Sequence, residues 1–181
     1  EGTVQRGAAT CPVCGYTTPV ASVRAQLKTR HGGAADARLF AVVITRLNEK
    51  GRFYRLPNHD DLQAVRAAEK KLREQEKKHA GPLSLVPDEN APPQGALSCR
   101  NAIYGMDTWA DFFTSRQALA LTTLVGLVQE AGKRITSSND KGLAIAVQTC
   151  LACVIDREAE HASSVCRWNP SGQKMQASFG R

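Results

Sequence analysis

Two long apolar helical segments, Thr114–Ile135 and Asn139–Glu160, limit what this chain can fold into more than any other stretch. The first reads TSRQALALTTLVGLVQEAGKRI and the second NDKGLAIAVQTCLACVIDREAE. Thr114 is placed to cap the first segment, and Gln117 completes a capping box with it. Phe113 precedes that cap, where a hydrophobic staple onto the first turn near Ala118 is expected. Leu121, Leu124, Val125 and Val128 recur at helical spacing, while Leu119, Ala120 and Leu127 widen the stripe. In the second segment Asn139 is the expected cap, and Leu143, Val147, Cys150, Leu151, Val154 and Ile155 form the matching face. Isolated helices gain too little from their own hydrogen bonds to stand in water, so two this apolar must bury against each other or something else.

The 181 residues allow one ordinary domain or two small ones, and 42% apolar content is enough for a folded core. No apolar run approaches the ~18 residues that span a bilayer, and the opening EGTVQRGAAT lacks the apolar centre of a signal peptide. The cysteines fall as one CxxC, a lone Cys99, a second CxxC and Cys166, which is not the spacing of a secreted disulfide framework. The expected compartment is the reducing cytoplasm. A formal charge of +7 is compatible with a polyanionic partner without requiring one.

Residues 10–20 read TCPVCGYTTPV. Cys11 and Cys14 have the spacing of a metal knuckle: two thiolates grip one tetrahedral Zn²⁺ while Gly15 lets the backbone turn around it. That is half of a zinc ribbon, and no second knuckle follows at ribbon spacing. Free thiols on a hairpin and a redox pair remain alternatives, the latter weaker because no helix begins on Cys11 to lower its pKa. The next stretch, VASVRAQLKTRHGGAADAR, carries Arg24, Lys28, Arg30, His31 and Arg38 around Gly32-Gly33. It reads as a flexible basic loop, either solvated or lying along phosphates. His31 is a weak candidate for a third metal ligand. Leu39–Leu47 then reads as a strand and Gly51–Leu56 as its hairpin partner.

Asn58 is expected to cap a helix, DDLQAVRAAEKKLREQEKKH, with Asp60 and Asp61 in its first turn and a thin stripe of Leu62, Val65 and Leu72. Its charges nearly cancel, so it reads as a solvated face rather than a phosphate-binding one. Residues 80–98, rich in proline, form a connector. Tyr104, Met106, Trp109, Phe112 and Phe113 follow, and read as core packing before the first long helix, with base stacking as the alternative. Cys150 and Cys153 sit inside the second long helix and read as small buried hydrophobes rather than as partners of Cys11 and Cys14. The last stretch, SSVCRWNPSGQKMQASFGR, is basic and punctuated by glycine and proline, with no closing element expected.

The fold class that follows is α+β. A β-rich, zinc-knuckle-like module spans 1–57, a mixed-charge helix 58–79, the connector 80–98, and a mainly helical half 99–181.

TCPVCGYTTPVASVRAQLKTRHGGAADARLFAVV, GRFYRLPNHDDLQAVRAA, YGMDTWADFFTSRQALALTTLVGLVQEA and SSVCRWNPSGQKMQASFGR together resemble the central region of a large prokaryotic family. Its members are described as adenine-specific DNA methyltransferases containing a domain of unknown function. The resemblance covers essentially the whole chain, in order. In that family a glycine-rich S-adenosylmethionine loop lies upstream of this region and a DPPY tetrad downstream. Neither is here: the one Pro-Pro, Pro92-Pro93, lies between Ala91 and Gln94. The resemblance therefore implies a non-catalytic insert or fragment that assists DNA recognition or scaffolds a split catalytic domain, with S-adenosylmethionine bound by the parent enzyme. It also implies a further knuckle upstream of Cys11 and Cys14. It matches Tyr104, Gly105, Trp109, Phe112, Arg116 and Gln117 to an aromatic helix lead-in, and Arg167, Trp168, Ser171, Gly172 and Lys174 to a basic turn.

The expected nucleic-acid contacts are Arg24, Lys28, Arg30, Arg38, Arg167, Trp168 and Lys174, with Cys11 and Cys14 as a zinc half-site. Expected partners are DNA, the flanking catalytic regions, and a second copy through the knuckle or the apolar helices; no membrane is expected. A stand-alone protein-interaction module without nucleic-acid binding is the alternative function.

Overall fold

The computed structural model describes residues 3–93, 100–137 and 140–177. Arg6 and Gly7 both take positive φ, 51° and 87°, as a two-residue hairpin loop requires. They join β1 (Val4–Gln5) to β2 (Ala8–Thr10), and β3 (Thr17–Thr18) pairs on the other side of β2. These strands are short and polar, so no alternating apolar run marks them in the sequence. Residues 20–38 are not the loop expected. Val20–Lys28 forms helix α1, and a 3-10 turn follows at His31–Gly33. Val20, Val23 and Leu27 are its half-buried apolar positions, three and four residues apart, a stripe too short to stand out between the flanking polar residues.

The expected central hairpin forms, but shorter than read. β4 (Val42–Ile44) pairs antiparallel with β5 (Phe53–Arg55), Val43 opposite Tyr54. Helix α2 (His59–Lys78) starts on Asn58 in a full capping box: Asn58 accepts from the Asp61 N–H at 3.0 Å, and Asp61 accepts from the Asn58 N–H at 2.8 Å. Asp61 also takes Arg55 Nη2–H at 3.0 Å, which ties the hairpin to the helix. The Arg55 guanidinium, then the Asn58 amide, hold the Asp61 carboxyl down at about 2 against an ordinary 3.8. Because the folded pKa is depressed, this contact stabilises the protein above the ordinary carboxylate range and is lost as pH falls through about 2. Asp61→Asn is expected to flatten the acid limb of a stability-versus-pH curve between about 4 and 2; a limb unchanged from wild type would exclude Asp61 as its source.

The connector is tied to the aromatic stretch. Asn90 bridges Thr108, Ala91 N–H donates to the Asp107 carbonyl, and Trp109 N–H donates to the Glu89 carbonyl. Trp109 and Phe112 rings lie 5.5 Å apart within a 3-10 turn at Trp109–Phe112. Phe112, 1% exposed, is the largest fully buried side chain among the described residues. Phe112 is therefore core packing, while Tyr104, Met106, Trp109 and Phe113 are half-buried around it. Helix α3 (Ser115–Ser137) starts where expected: Gln117 Oε1 accepts from the Thr114 N–H and hydroxyl, both at 2.9 Å. Helix α4 (Lys141–His161) is capped by Asp140, which accepts from the Leu143 N–H at 2.8 Å; Asn139 lies outside the described residues. The two helices pack on each other, with the buried Gly132 of α3 against Gln148 of α4.

Two expectations are corrected in this half. Cys150 and Cys153 are exposed rather than buried, because α4 turns its Ala144 side inward and leaves these thiols outside. The last stretch does close on an element: β6 (Arg167–Asn169) pairs with β7 (Lys174–Gln176), Trp168 opposite Met175. The architecture is thus α+β, strand-rich at its N-terminal side and helical toward its C-terminal side. Among the described residues no helix is long and apolar enough to cross a membrane.

The core is thin. Ala34, Ala68, Leu72, Phe112, Ala118 and Ala144 are its buried apolar residues among those described. The accessible surface is 13365 Å², against roughly 8,600 Å² for a compact chain of this mass. Fully extended, the residues outside the described set would expose roughly 2,200 Å², under half of that excess. Leu127, Ile145 and Val154, on α3 and α4, are more than half exposed. The helix pair has partly satisfied its apolar faces and no more.

Candidate nucleic-acid interface and cysteine knuckle

The knuckle occupies the loop between β2 and β3. Cys11 N–H donates to the Tyr16 carbonyl and Gly15 N–H to the Cys11 carbonyl, both at 2.9 Å. Gly15 sits at φ +72°, where the turn needs a residue without a side chain. The Cys14 amide, then the Val13 amide, are directed at the Cys11 sulfur and with the Cys14 side chain pull its pKa below the ordinary 9.0, against a smaller opposing effect of desolvation. Amides thus do here what a helix N-terminus does elsewhere, a signal that a search for helix starts misses. Two cysteines at this spacing are the donor set of half a tetrahedral zinc site. Among the described residues no group of three or more His, Cys, Asp and Glu converges to complete it. His31 faces Asp111, Nδ1 to Oδ1 at 3.8 Å, so it is not the third ligand at the knuckle.

The expected nucleic-acid contacts separate into two groups. Arg24 lies over the Tyr104 ring at 5.9 Å, and Arg30 Nε donates to Asp36 Oδ2 at 2.7 Å. Lys28 contributes its backbone to a close crossing with Gly105, and Arg38 is exposed beyond the turn. This first group is partly neutralised and partly occupied in holding α1 against the 3-10 turn at Asn101–Tyr104.

The second group, Arg167, Trp168 and Lys174, acquires partners the sequence did not reveal. Trp168 Nε1–H donates to Tyr54 Oη at 3.0 Å, and the two rings meet edge to face, 6.1 Å apart at 85°. Arg52 N–H donates to Gln173 Oε1 at 3.1 Å. The β4–β5 and β6–β7 hairpins therefore join, although more than a hundred residues separate them. Val43 and Tyr54 share one face of the first hairpin, Trp168 and Met175 one face of the second. Tyr54 is 52% exposed. Residues 39–57 and 163–177 hold Arg46, Lys50, Arg52, Arg55, Arg167 and Lys174 against a single acid, Glu49, so most of the chain's net positive charge lies on these hairpins. Arg46 pairs with Glu49 and lies over the Phe53 ring at 4.1 Å, Arg55 pairs with Asp61, and Arg167 donates to the neutral Gln176.

Comparison with protein families, with curated proteins and with solved structures gives no match for this chain.

Proposed function

We propose that this chain is a non-catalytic insert of an S-adenosylmethionine-dependent, adenine-specific DNA methyltransferase. It scaffolds the catalytic regions flanking it and offers a basic surface to DNA. The observation that carries the reading is the uncovered helix pair. Two grooves of about 450 and 420 Å³ lie on α3–α4, the first also walled by Leu85, Val86 and Pro87 of the connector. Leu121, Val125 and Ala152 line the first, and Leu124, Leu127 and Val154 the second. A second copy seated in one groove would bury about 800 Å² per partner, which leaves the other groove and most of the excess surface open. A flanking catalytic domain is large enough to cover both. A stand-alone interaction module is the competing reading, since it also needs apolar grooves.

The gene and the reaction decide between them. The reading requires the open reading frame to encode a glycine-rich S-adenosylmethionine loop and a DPPY tetrad on either side of this segment. Excising residues 3–177 from that enzyme should abolish methyl transfer to adenine-containing DNA, while the isolated chain transfers none. A frame encoding neither motif, or methyl transfer by the isolated chain, overturns the reading.

Zinc belongs to the same reading. Cys11 and Cys14 would supply two of four ligands, and the rest would come from a chain segment beside the knuckle, where Thr10 N–H donates to the Thr3 carbonyl at 2.8 Å. The monomeric chain alone is then expected to hold well under one equivalent of tight zinc, because a half-site loses much of the binding energy of a closed one. A dimer sharing four thiolates would show instead as a mass by light scattering that halves on chelation. One tight equivalent in a monomer whose Cys11→Ala variant retains it would place the metal elsewhere.

A further inference from the structure

The geometry points to the joined hairpins as a binding site for single-stranded nucleic acid, with Tyr54 as the stacking platform for an unpaired base and Arg52, Lys50, Arg167 and Lys174 as contacts to its phosphates. The inference rests on the DNA-facing part of the reading above, and gives that surface a location and a ligand class. Three observations carry it. The first is concentration of charge: six cations against one acid within two short hairpins, while α2 nearly balances its own charges. Glu49 is occupied by Arg46, and Asp61, reaching in from α2, is occupied by Arg55. No ion pair involves Lys50, Arg52, Arg167 or Lys174 among the described residues.

The second is the aromatic pair. An exposed tyrosine on a strand ordinarily rotates freely. Here the indole N–H holds the phenol oxygen and the indole stands perpendicular to the ring, so Tyr54 is both exposed and oriented. Arg167 and Lys174 lie on the face of their hairpin opposite Trp168. A fixed aromatic on the same joined hairpins as cations without an ion pair is a combination that binds bases without reading their edges. The third is what the site lacks for duplex DNA. A two-stranded ribbon can enter a major groove, but these strands are only three residues long, and the base faces that a stacking ring needs are buried inside a duplex. A single strand, or a nucleotide drawn out of a duplex, presents the π-face that Tyr54 can meet.

Fluorescence anisotropy with a labelled single-stranded oligonucleotide and the same sequence as duplex, across a salt series, tests the proposal on the full chain. Single-strand binding should be the tighter, with a log–log salt slope near −3 from about four phosphate contacts at ~0.7 each. Tyr54→Ala should weaken it about 5- to 150-fold with little change in slope, as loss of one stacked base does. Lys174→Gln should reduce the slope by about 0.7, a change that a damaged fold would not mimic; circular dichroism checks each variant. Trp168→Phe, which keeps a ring and loses the N–H, should fall between wild type and Tyr54→Ala. Equal or tighter duplex binding that ignores Tyr54, no binding at low salt, or a Tyr54-dependent affinity found only for anionic vesicles each overturns the proposal. Those results leave the scaffolding role standing, because that role is read from methyl transfer after excision; failure of the excision test in turn leaves the strand-binding result intact.

Discussion

Phe112→Ala is expected to cost about 3–5 kcal/mol, the range for truncating a fully buried phenylalanine. Burial and ring packing push the outcome toward the upper end. Phe112 is 1% exposed, and Leu72 is the one other large side chain in the buried core of the described residues. Its ring packs on Trp109 at 5.5 Å. Its backbone carbonyl, which the substitution leaves in place, accepts both the N–H and the hydroxyl of Ser164, at 2.7 and 2.8 Å, and fastens the lead-in to α3 to the turn that follows α4. Domains of ordinary stability hold roughly 5–15 kcal/mol in reserve, and a core this thin belongs near the bottom of that range. Urea denaturation followed by far-ultraviolet circular dichroism should show the midpoint collapse, with helix signal lost before denaturant is added if the reserve is exhausted. A loss below about 1 kcal/mol would mean the ring is not the keystone its burial implies.

Gly105→Ala should be nearly as damaging for a different reason. Gly105 takes φ +81°, and an added Cβ would stand 2.6 Å from Lys28 Cα and 2.7 Å from the Lys28 carbonyl oxygen. Both neighbours are backbone, so no side chain can swing aside. Positive φ and the forced displacement of α1 together should cost about 2–5 kcal/mol. Gly126→Ala is the control. That glycine lies inside α3, with nothing within 4 Å of an added Cβ. Removing its excess unfolded-state freedom should stabilise the protein by about 0.5–1 kcal/mol. Opposite signs at the two positions, read from the same urea titration, are the expected result; equal signs would contradict the crossing of Lys28 and Gly105.

The two long helices were legible because their signals are local. Thr114 with Gln117, and the recurring leucines and valines, fix a start and a period without reference to the rest of the chain. Asn58 with Asp61 did the same for α2. What stayed hidden was set by tertiary contact. Val20–Lys28 became a helix with a minimal apolar stripe, held by Arg24 over Tyr104 and by the crossing at Gly105. Cys150 and Cys153 could be placed on a helix but not on a side of it, because α4 is apolar nearly all round. For the candidate interface, Arg167, Trp168 and Lys174 stood out as a basic aromatic cluster. Tyr54 and Arg52 did not, since only the meeting of two distant hairpins makes them neighbours, and no pattern within either hairpin encodes it. The lowered pKa of Cys11 also escaped, because it comes from two amides of a tight turn rather than from any residue type.

The union of those hairpins also imposes a timetable on the ribosome. Tyr54 and Trp168 are 114 positions apart. At about 5–20 residues per second, the first hairpin leaves the exit tunnel roughly 6–25 s before the second. During that interval Tyr54 has no indole to orient it and Arg52 has no Gln173 to hold its backbone. Any nascent or prematurely terminated chain lacking residues 167–176 carries half a platform. The proposed capture of nucleic acid by the joined surface would thereby wait until translation has passed both long helices, a consequence of chain order alone.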